Sequence, residues 1–211
     1  MPTIPIDERL RVIEVYTSIQ GESSWAGLPC TFVRLAGCNL RCSWCDSEFT
    51  FTGGEHRAIS DVLAEVATAG VGLVEVTGGE PLVHRQAIPL MQGLLDAGHT
   101  VLLEPSGSLS IAEVPDAVHV ILDLKPPDSG EVESNLWENV PRLRAHHEVK
   151  FVVASRRDYE WSRDVIADQA LADRCAVILS PAWGLLDPAK LVDWMLEDGV
   201  EVESPLGFSH F

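Results

Sequence analysis

The sequence predicts an α/β fold, a partial and incomplete TIM-like barrel of about six parallel strands, on three observations. Short runs rich in Val, Ile and Leu recur along the chain, the pattern of strands buried on both faces of a parallel sheet. Stretches of helical character fill the gaps, so that strand and helix alternate in right-handed units. Six such runs follow residue 30, too few to close an eight-stranded barrel. In folds of this kind the reactive residues gather at the C-terminal ends of the strands.

In chain order, strands are expected over residues 11–16, 31–35, 73–76, 100–104, 119–123, 149–153 and 176–179. Ser60 is placed to cap a helix over 61–69 that stops at Gly70. A second helix over 87–97 stops at Gly98. Asp187 followed by Pro188 is a cap with proline at the first helical position, opening a helix to Glu197. Helices over 135–144 and 158–172 complete the set, the first interrupted by Pro141.

The chain has 211 residues, 46% of them hydrophobic, enough for one sizeable globular domain. It has no apolar run of ~18 residues, and Met1 to Arg9 do not resemble a signal peptide, so a soluble, cytoplasmic protein is expected. A net charge of -17 argues against a nucleic-acid partner, because nothing offsets phosphate repulsion. An anionic small molecule remains open, since one buried Arg or Lys can dominate locally.

Three of the five cysteines fall within eight residues, Cys38, Cys42 and Cys45, spaced C-x3-C-x2-C. In a reducing compartment this suggests metal binding more than disulfides. Three thiolates on one short loop can hold three corners of a metal cluster and leave the fourth open to chemistry. The alternative is a structural zinc site completed by Cys30 or a histidine, with His56 nearest, though zinc sites usually use paired knuckles and no second knuckle is present. Cys30 and Cys175 lie on strand-like segments and read as small core residues.

The cysteine loop follows the strand at 31–35. Thr77-Gly78-Gly79-Glu80-Pro81, Glu104 to Ser108, Asp123-Leu124-Lys125 and Ser180-Pro181 follow later strands, so all would meet at one rim. Arg34 stands alone in an apolar strand, where an arginine wants an anion. Taken singly, several of these have plainer readings. Gln20-Gly21-Glu22 could be a polar turn, Arg34 a strand-edge arginine, Ser47 a turn cap and Gly78-Gly79 a simple turn. Trp137, Trp161, Trp183 and Trp194 read as packing residues, and the acidic run at 128–133 as a solvated loop.

The cysteine triplet, with Trp44 before its last member, together with Thr77-Gly-Gly-Glu-Pro, resembles the radical S-adenosylmethionine enzymes. The flanks Ser18 to Glu22, Phe32 to Cys38 and Cys45-Asp46-Ser47 closely resemble the 7-carboxy-7-deazaguanine synthase family of that superfamily. The resemblance runs from about Val15 to Trp183 and implies a radical S-adenosylmethionine core. It implies a [4Fe-4S] cluster on Cys38, Cys42 and Cys45, S-adenosyl-L-methionine on the open iron, and Mg2+ held by Ser47, where the family usually has Thr. Ile19, Gln20, Gly21, Glu22, Arg34 and Thr77 would bind a pterin. Trp44, Cys45, Asp46, Gly79, Glu80, Ser106, Asp123, Lys125 and Ser180 would bind S-adenosylmethionine, Gly79 by letting the backbone approach closely.

The activity so implied is a lyase reaction, the radical ring contraction of 6-carboxy-5,6,7,8-tetrahydropterin to 7-carboxy-7-deazaguanine. Ammonia is released, on the route to queuosine and other 7-deazapurines. It also implies a flavodoxin- or ferredoxin-type electron donor and a homodimer. Residues 1–30 would be a substrate-contacting extension, 31–183 the barrel core and 184–211 a C-terminal helix and divergent tail. Family members usually end in a strand with a Gln-x-His-Lys segment. Pro205 and Gly207 would break such a strand here, so no C-terminal contact is carried over. A radical activase that makes a glycyl radical on a partner protein shares the cluster motif. It leaves Ser18 to Glu22 and the placement of Arg34 without a purpose.

Overall fold

The computed structural model describes residues 9–200. Eight strands form one open sheet in the order β3-β1-β2-β4-β5-β6-β7-β8. They are β1 (Arg9–Ile19), β2 (Pro29–Leu35), β3 (Glu55–Ala58), β4 (Leu73–Gly78), β5 (Thr100–Leu103), β6 (His119–Asp123), β7 (Glu148–Val153) and β8 (Ala176–Pro181). From β2 to β8 the six neighbouring strands in that order are parallel, as a partial barrel requires. The antiparallel ribbon β3-β1 extends it past β2.

Alternation along the strands sorts side chains onto two faces. The face carrying Val33, Val74, Val76, Val101, Leu103, Val120 and Leu122 belongs to the large apolar core. Helices α1 (Ile59–Ala69), α2 (Ala87–Asp96), α3 (Arg156–Asp168) and α4 (Pro188–Asp198) contribute Val62, Val66, Leu90, Met91, Leu94, Tyr159 and Leu191 to it. The opposite face changes character along the strand direction. Its first tier is apolar, with Cys30, Leu73, Leu102 and Ile121 packed together. Two residues further on stand Glu75, Glu104, Asp123 and, on β7, Lys150. A dry layer thus supports a charged one, at the strand ends where reactive groups were expected.

Three helix ends follow the local rules. Asp187 Oδ1 accepts from Ala189 N at 3.0 Å ahead of Pro188, and Gly199 closes α4 in the left-handed region. Gly70 closes α1 in the same way. Ser155 caps α3 by accepting from Asp158 N, so this helix starts two residues before the expected 158 and ends earlier, at Asp168.

Other expectations are corrected. Ser60 lies inside α1, whose cap position is Ala58, with no side-chain cap bond. The helix expected over 135–144 is instead a pair of 3-10 turns around Asn135, the longer being Trp137–Arg142 with Pro141 inside, since proline cannot donate the bond an α-helix needs. β3 went unforeseen: Glu-His-Arg-Ala has almost no apolar pattern, and its order comes from pairing with β1 at the sheet edge. The tail expected to be divergent, including Pro205 and Gly207, lies outside the described residues.

Candidate active site

The cysteine loop is held from two sides. Below it, Gly79 N donates to Leu35 O at 3.3 Å and Glu80 N to Gly37 O at 2.9 Å, so the glycine pair after β4 lies against the backbone leading into Cys38. A methyl on Gly78 would meet Leu35 O at 2.2 Å, and φ there is +150°. His84 bonds the Ala36 carbonyl at 2.6 Å. On the other side the acidic run at 128–133 is no solvated loop: Ser43 N donates to Ser129 O at 2.9 Å and Arg41 N to Glu131 Oε1 at 2.5 Å. Asp158, at the start of α3, fixes that buttress by accepting from Asp128 N at 2.8 Å.

Cys38, Cys42 and Cys45 line one cavity of about 180 Å³, together with Thr77, Gly79, Ser106, Asp123 and Lys125. Cys30 and Cys175 are buried away from it, as expected of core residues. No three Cys, His, Asp or Glu side chains among the described residues converge on a single-ion site. Three soft thiols spread around one open cavity, with no fourth cysteine beside them, fit an iron–sulfur cluster with a vacant corner better than zinc. Burial pushes the Cys42 thiol up to about 11, and metal binding supplies the charge that makes such a thiol a thiolate.

Polar groups on the cavity wall suit a zwitterionic ligand. Lys125 Nζ pairs with Asp123 Oδ2 at 3.0 Å and is held charged by it, while Asp123 Oδ1 is buried with no hydrogen-bond partner among the described residues. Ser180 Oγ, fully buried on β8, likewise has no hydrogen-bond partner among the described residues. Ser180 and Glu80 are not on the cavity surface itself. Glu80 is fully buried and accepts from Leu82 N and from both the amide and hydroxyl of Ser106, so it clamps the β4 and β5 ends together. Trp44 and Asp46 line the cavity, and so does Trp183. Trp183 is 68% exposed, so it stands at the mouth and is no packing residue. Trp137 is 40% exposed, whereas Trp161 and Trp194 pack on the core as expected.

A second cavity of about 380 Å³ adjoins the first and shares Glu22, Asp46, Ser47, Thr77 and Glu104 with it. Ile19, Gln20, Gly21 and Arg34 line it, beside the aromatic faces of Tyr16, Phe32 and Phe49. The Arg34 guanidinium already has an anion: Nε donates to Glu14 Oε1 at 2.8 Å, and Nη2 to Tyr16 Oη at 2.7 Å. Gln20 is 2% exposed. Its Oε1 accepts from Glu22 N and Ser23 N, and its Nε2 donates to Glu75. Ser47 Oγ donates to Asp46 Oδ1 at 2.8 Å, which puts two hard oxygen donors side by side on the shared wall.

Sequence reasoning missed Glu75, Lys150, Glu14 and Tyr16. Glu75 carried the same signal as Arg34, a lone charge in an apolar strand, within Leu73-Val-Glu-Val-Thr77, and Lys150 a similar one in Glu148-Val-Lys-Phe-Val-Val153, where Glu148 is the only other charge. Lys150 is buried on β7 and paired to Glu104 Oε1 at 2.7 Å and to Glu22. Glu148, one turn of the pleat earlier, accepts from Ser24 N, so the segment after β1 is anchored inside the barrel by both residues.

Comparison with known proteins places these features in a lineage. Residues 33–128 match the model of the Radical SAM superfamily. The chain is 45% identical over 208 residues to the 7-carboxy-7-deazaguanine synthase of Koribacter versatilis, covering 92% of each chain. It is 40% identical to that of Chlorobaculum tepidum, covering 93% of this chain and 91% of the relative. The crystal structure of QueE from Escherichia coli superposes with a TM-score of 0.76 at 22% identity, over 90% of this chain and 91% of that one, a likeness of fold.

Proposed function

Because this chain belongs to the 7-carboxy-7-deazaguanine synthase family of the Radical SAM superfamily, we propose that its two adjoining cavities divide one reaction between them. The reaction is the ring contraction of 6-carboxy-5,6,7,8-tetrahydropterin to 7-carboxy-7-deazaguanine with loss of ammonia. The observation that carries this reading is the shared wall. The cysteine-lined cavity and the aromatic cavity meet at Thr77, Glu104, Glu22, Asp46 and Ser47. A ligand in one would therefore present its reactive atom to a ligand in the other.

Cys38, Cys42 and Cys45 would hold the [4Fe-4S] cluster, while Asp123, Lys125 and Ser106 would hold the polar ends of S-adenosylmethionine. When bound, this pair supplies the one-electron chemistry that opens the reaction at a carbon–hydrogen bond of the pterin. The protein's own residues orient and exclude. Tyr16 and Phe32 stack with centroids 5.0 Å apart and would form one wall against a flat ring. Arg34, pinned by Glu14 and Tyr16, has guanidinium donors left over for a substrate carboxylate. Asp46 and Ser47 would hold Mg2+ on the wall between the ligands. Residues 1–30 as a substrate-contacting extension, a flavodoxin- or ferredoxin-type donor and a homodimer belong to the same proposal.

The test is anaerobic reconstitution with iron and sulfide, then a strong reductant, S-adenosylmethionine and the tetrahydropterin. About four irons per chain and formation of the deazaguanine are expected. Consumption of S-adenosylmethionine with the pterin untouched would sink the reading and leave the activase alternative.

A further inference from the structure

Where the two cavities meet, the carboxyl groups of Glu22, Glu75 and Glu104 lie near one ammonium, that of Lys150. Lys150 Nζ lies against Glu104 Oε1 at 2.7 Å and against Glu22. The third carboxyl, Glu75, has no salt bridge among the described residues. It is 2% exposed, accepts from Gln20 Nε2 at 3.1 Å and shares the wall of the aromatic cavity with the carboxyl of Glu104. A carboxylate without a cation is costly to bury, so a carboxyl enclosed beside other carboxylates and lacking an ammonium partner keeps its proton. Lys150 ion-pairs with Glu104 and Glu22, and the carboxyl left without an ammonium, Glu75, holds the proton. The other groups facing Glu75 do not change this, since Tyr16 of β1 and Cys30 of β2 are neutral and Gln20 only donates. Burial and the neighbouring carboxylates push the Glu75 carboxyl well above the usual range, and the Lys150 ammonium holds Glu104 below it.

Glu75 lines the aromatic cavity, beside Arg34, Thr77 and Glu104. We propose that Glu75 is the general acid that protonates the nitrogen expelled as ammonia. The inference rests on the ring-contraction reading and adds to it the acid–base group that the sequence does not reveal. Amide anion is a very poor leaving group, so nitrogen must be protonated as its bond to carbon breaks. The bonding pair leaves with nitrogen, the Glu75 proton joins it, and neutral ammonia departs. The Glu75 carboxylate then takes a proton from the ring carbon that must lose one for the five-membered ring to become aromatic. The carboxyl is restored, and the sum is substrate minus NH3, with no net gain or loss of electrons. Glu104, held as an anion by Lys150, is a positioning residue in this scheme: its charge keeps the proton on Glu75.

The experiment compares reconstituted wild-type enzyme with Glu75→Gln and Glu75→Asp. Glutamine keeps the size of a protonated Glu75 and still accepts from Gln20, but cannot release a proton. Glu75→Gln is expected to retain its iron and to move deuterium from labelled pterin onto the nucleoside of S-adenosylmethionine. Its product formation should fall by roughly 10²–10⁴-fold, with Glu75→Asp recovering part of it. The infrared carbonyl band of a buried carboxylic acid should be present in wild-type protein at neutral pH without substrate and lost in Glu75→Gln. A Glu75→Gln enzyme with undiminished product formation, or a wild-type protein without that band, overturns the proposal. Wild-type enzyme that leaves the pterin untouched fails the reading beneath it, and the inference falls with it.

Discussion

A methyl group on Gly79 would lie 2.4 Å from the Gly37 carbonyl oxygen and 2.7 Å from Cys38 Cβ, so backbone contact with the cysteine loop alone demands glycine there. Gly79→Ala is expected to push that loop away and cut iron per chain after reconstitution, with a stability loss of about 1–3 kcal/mol in urea. Lys150 works through charge. Lys150→Met leaves Glu104 and Glu22 without their cation and should destabilise by about 3–5 kcal/mol at neutral pH, less in acid where the carboxyls protonate. The two carboxyls on adjacent strands respond to pH with opposite sign. Glu104, held low, contributes stability present above the ordinary carboxylate range and lost as pH falls through its depressed value. Glu75, held high, contributes stability complete below the ordinary range and lost as pH rises toward its raised value. Urea midpoints should therefore show Glu75→Gln gaining on wild type as the medium becomes alkaline.

At the scale of elements, the buttress at 127–134 matters most for the site. Asp158 bonds Asp128 N at 2.8 Å and Ala154 N at 3.0 Å, tying β7, α3 and the buttress to one carboxylate. Asp158→Ala leaves those amides without partners and should cost about 1–3 kcal/mol, with looser retention of iron as the signature of a freed cysteine loop. The β6–β7 connection carries an acid-sensitive lock. His147 is buried, accepts from Arg144 N at 3.3 Å and neighbours His146 at 4.4 Å between ring centroids. Burial, His146 and Arg144 push it down to about 4. A histidine lowered in this way stabilises above its ordinary value of 6.5 and loses that contribution as pH falls toward about 4. His147→Gln should flatten the fall in urea midpoint across that window.

Over the whole molecule, a net charge of -17 sets the background against which these local pairs work. Self-repulsion of that size is screened by salt, whose Debye length is about 8 Å at physiological ionic strength. The melting temperature should rise from dilute buffer to physiological salt, although surface pairs such as Arg144–Asp116 weaken in the same change. The alternation of strand and helix, the order of the parallel strands' reactive ends and the cysteine cavity were legible from spacing, because each is written in contiguous residues. β3 was not, because its order comes from pairing with β1, and no pattern inside Glu-His-Arg-Ala records a partner.

The linear chain thus determined which atoms could do chemistry: three thiols on one loop, a glycine pair against it and an arginine in an apolar strand. Folding decided what those atoms meet. Arg34 found Glu14, Gln20 was absorbed into its own loop, and a loop read as solvated became the support under the cysteines. Above all, Glu22, Glu75, Glu104 and Lys150, spread over 129 positions, were brought together in one buried cluster. The reason is electrostatic. The ionisation of a buried carboxyl depends on its neighbours in space and its distance from water, and neither is encoded in the residues beside it.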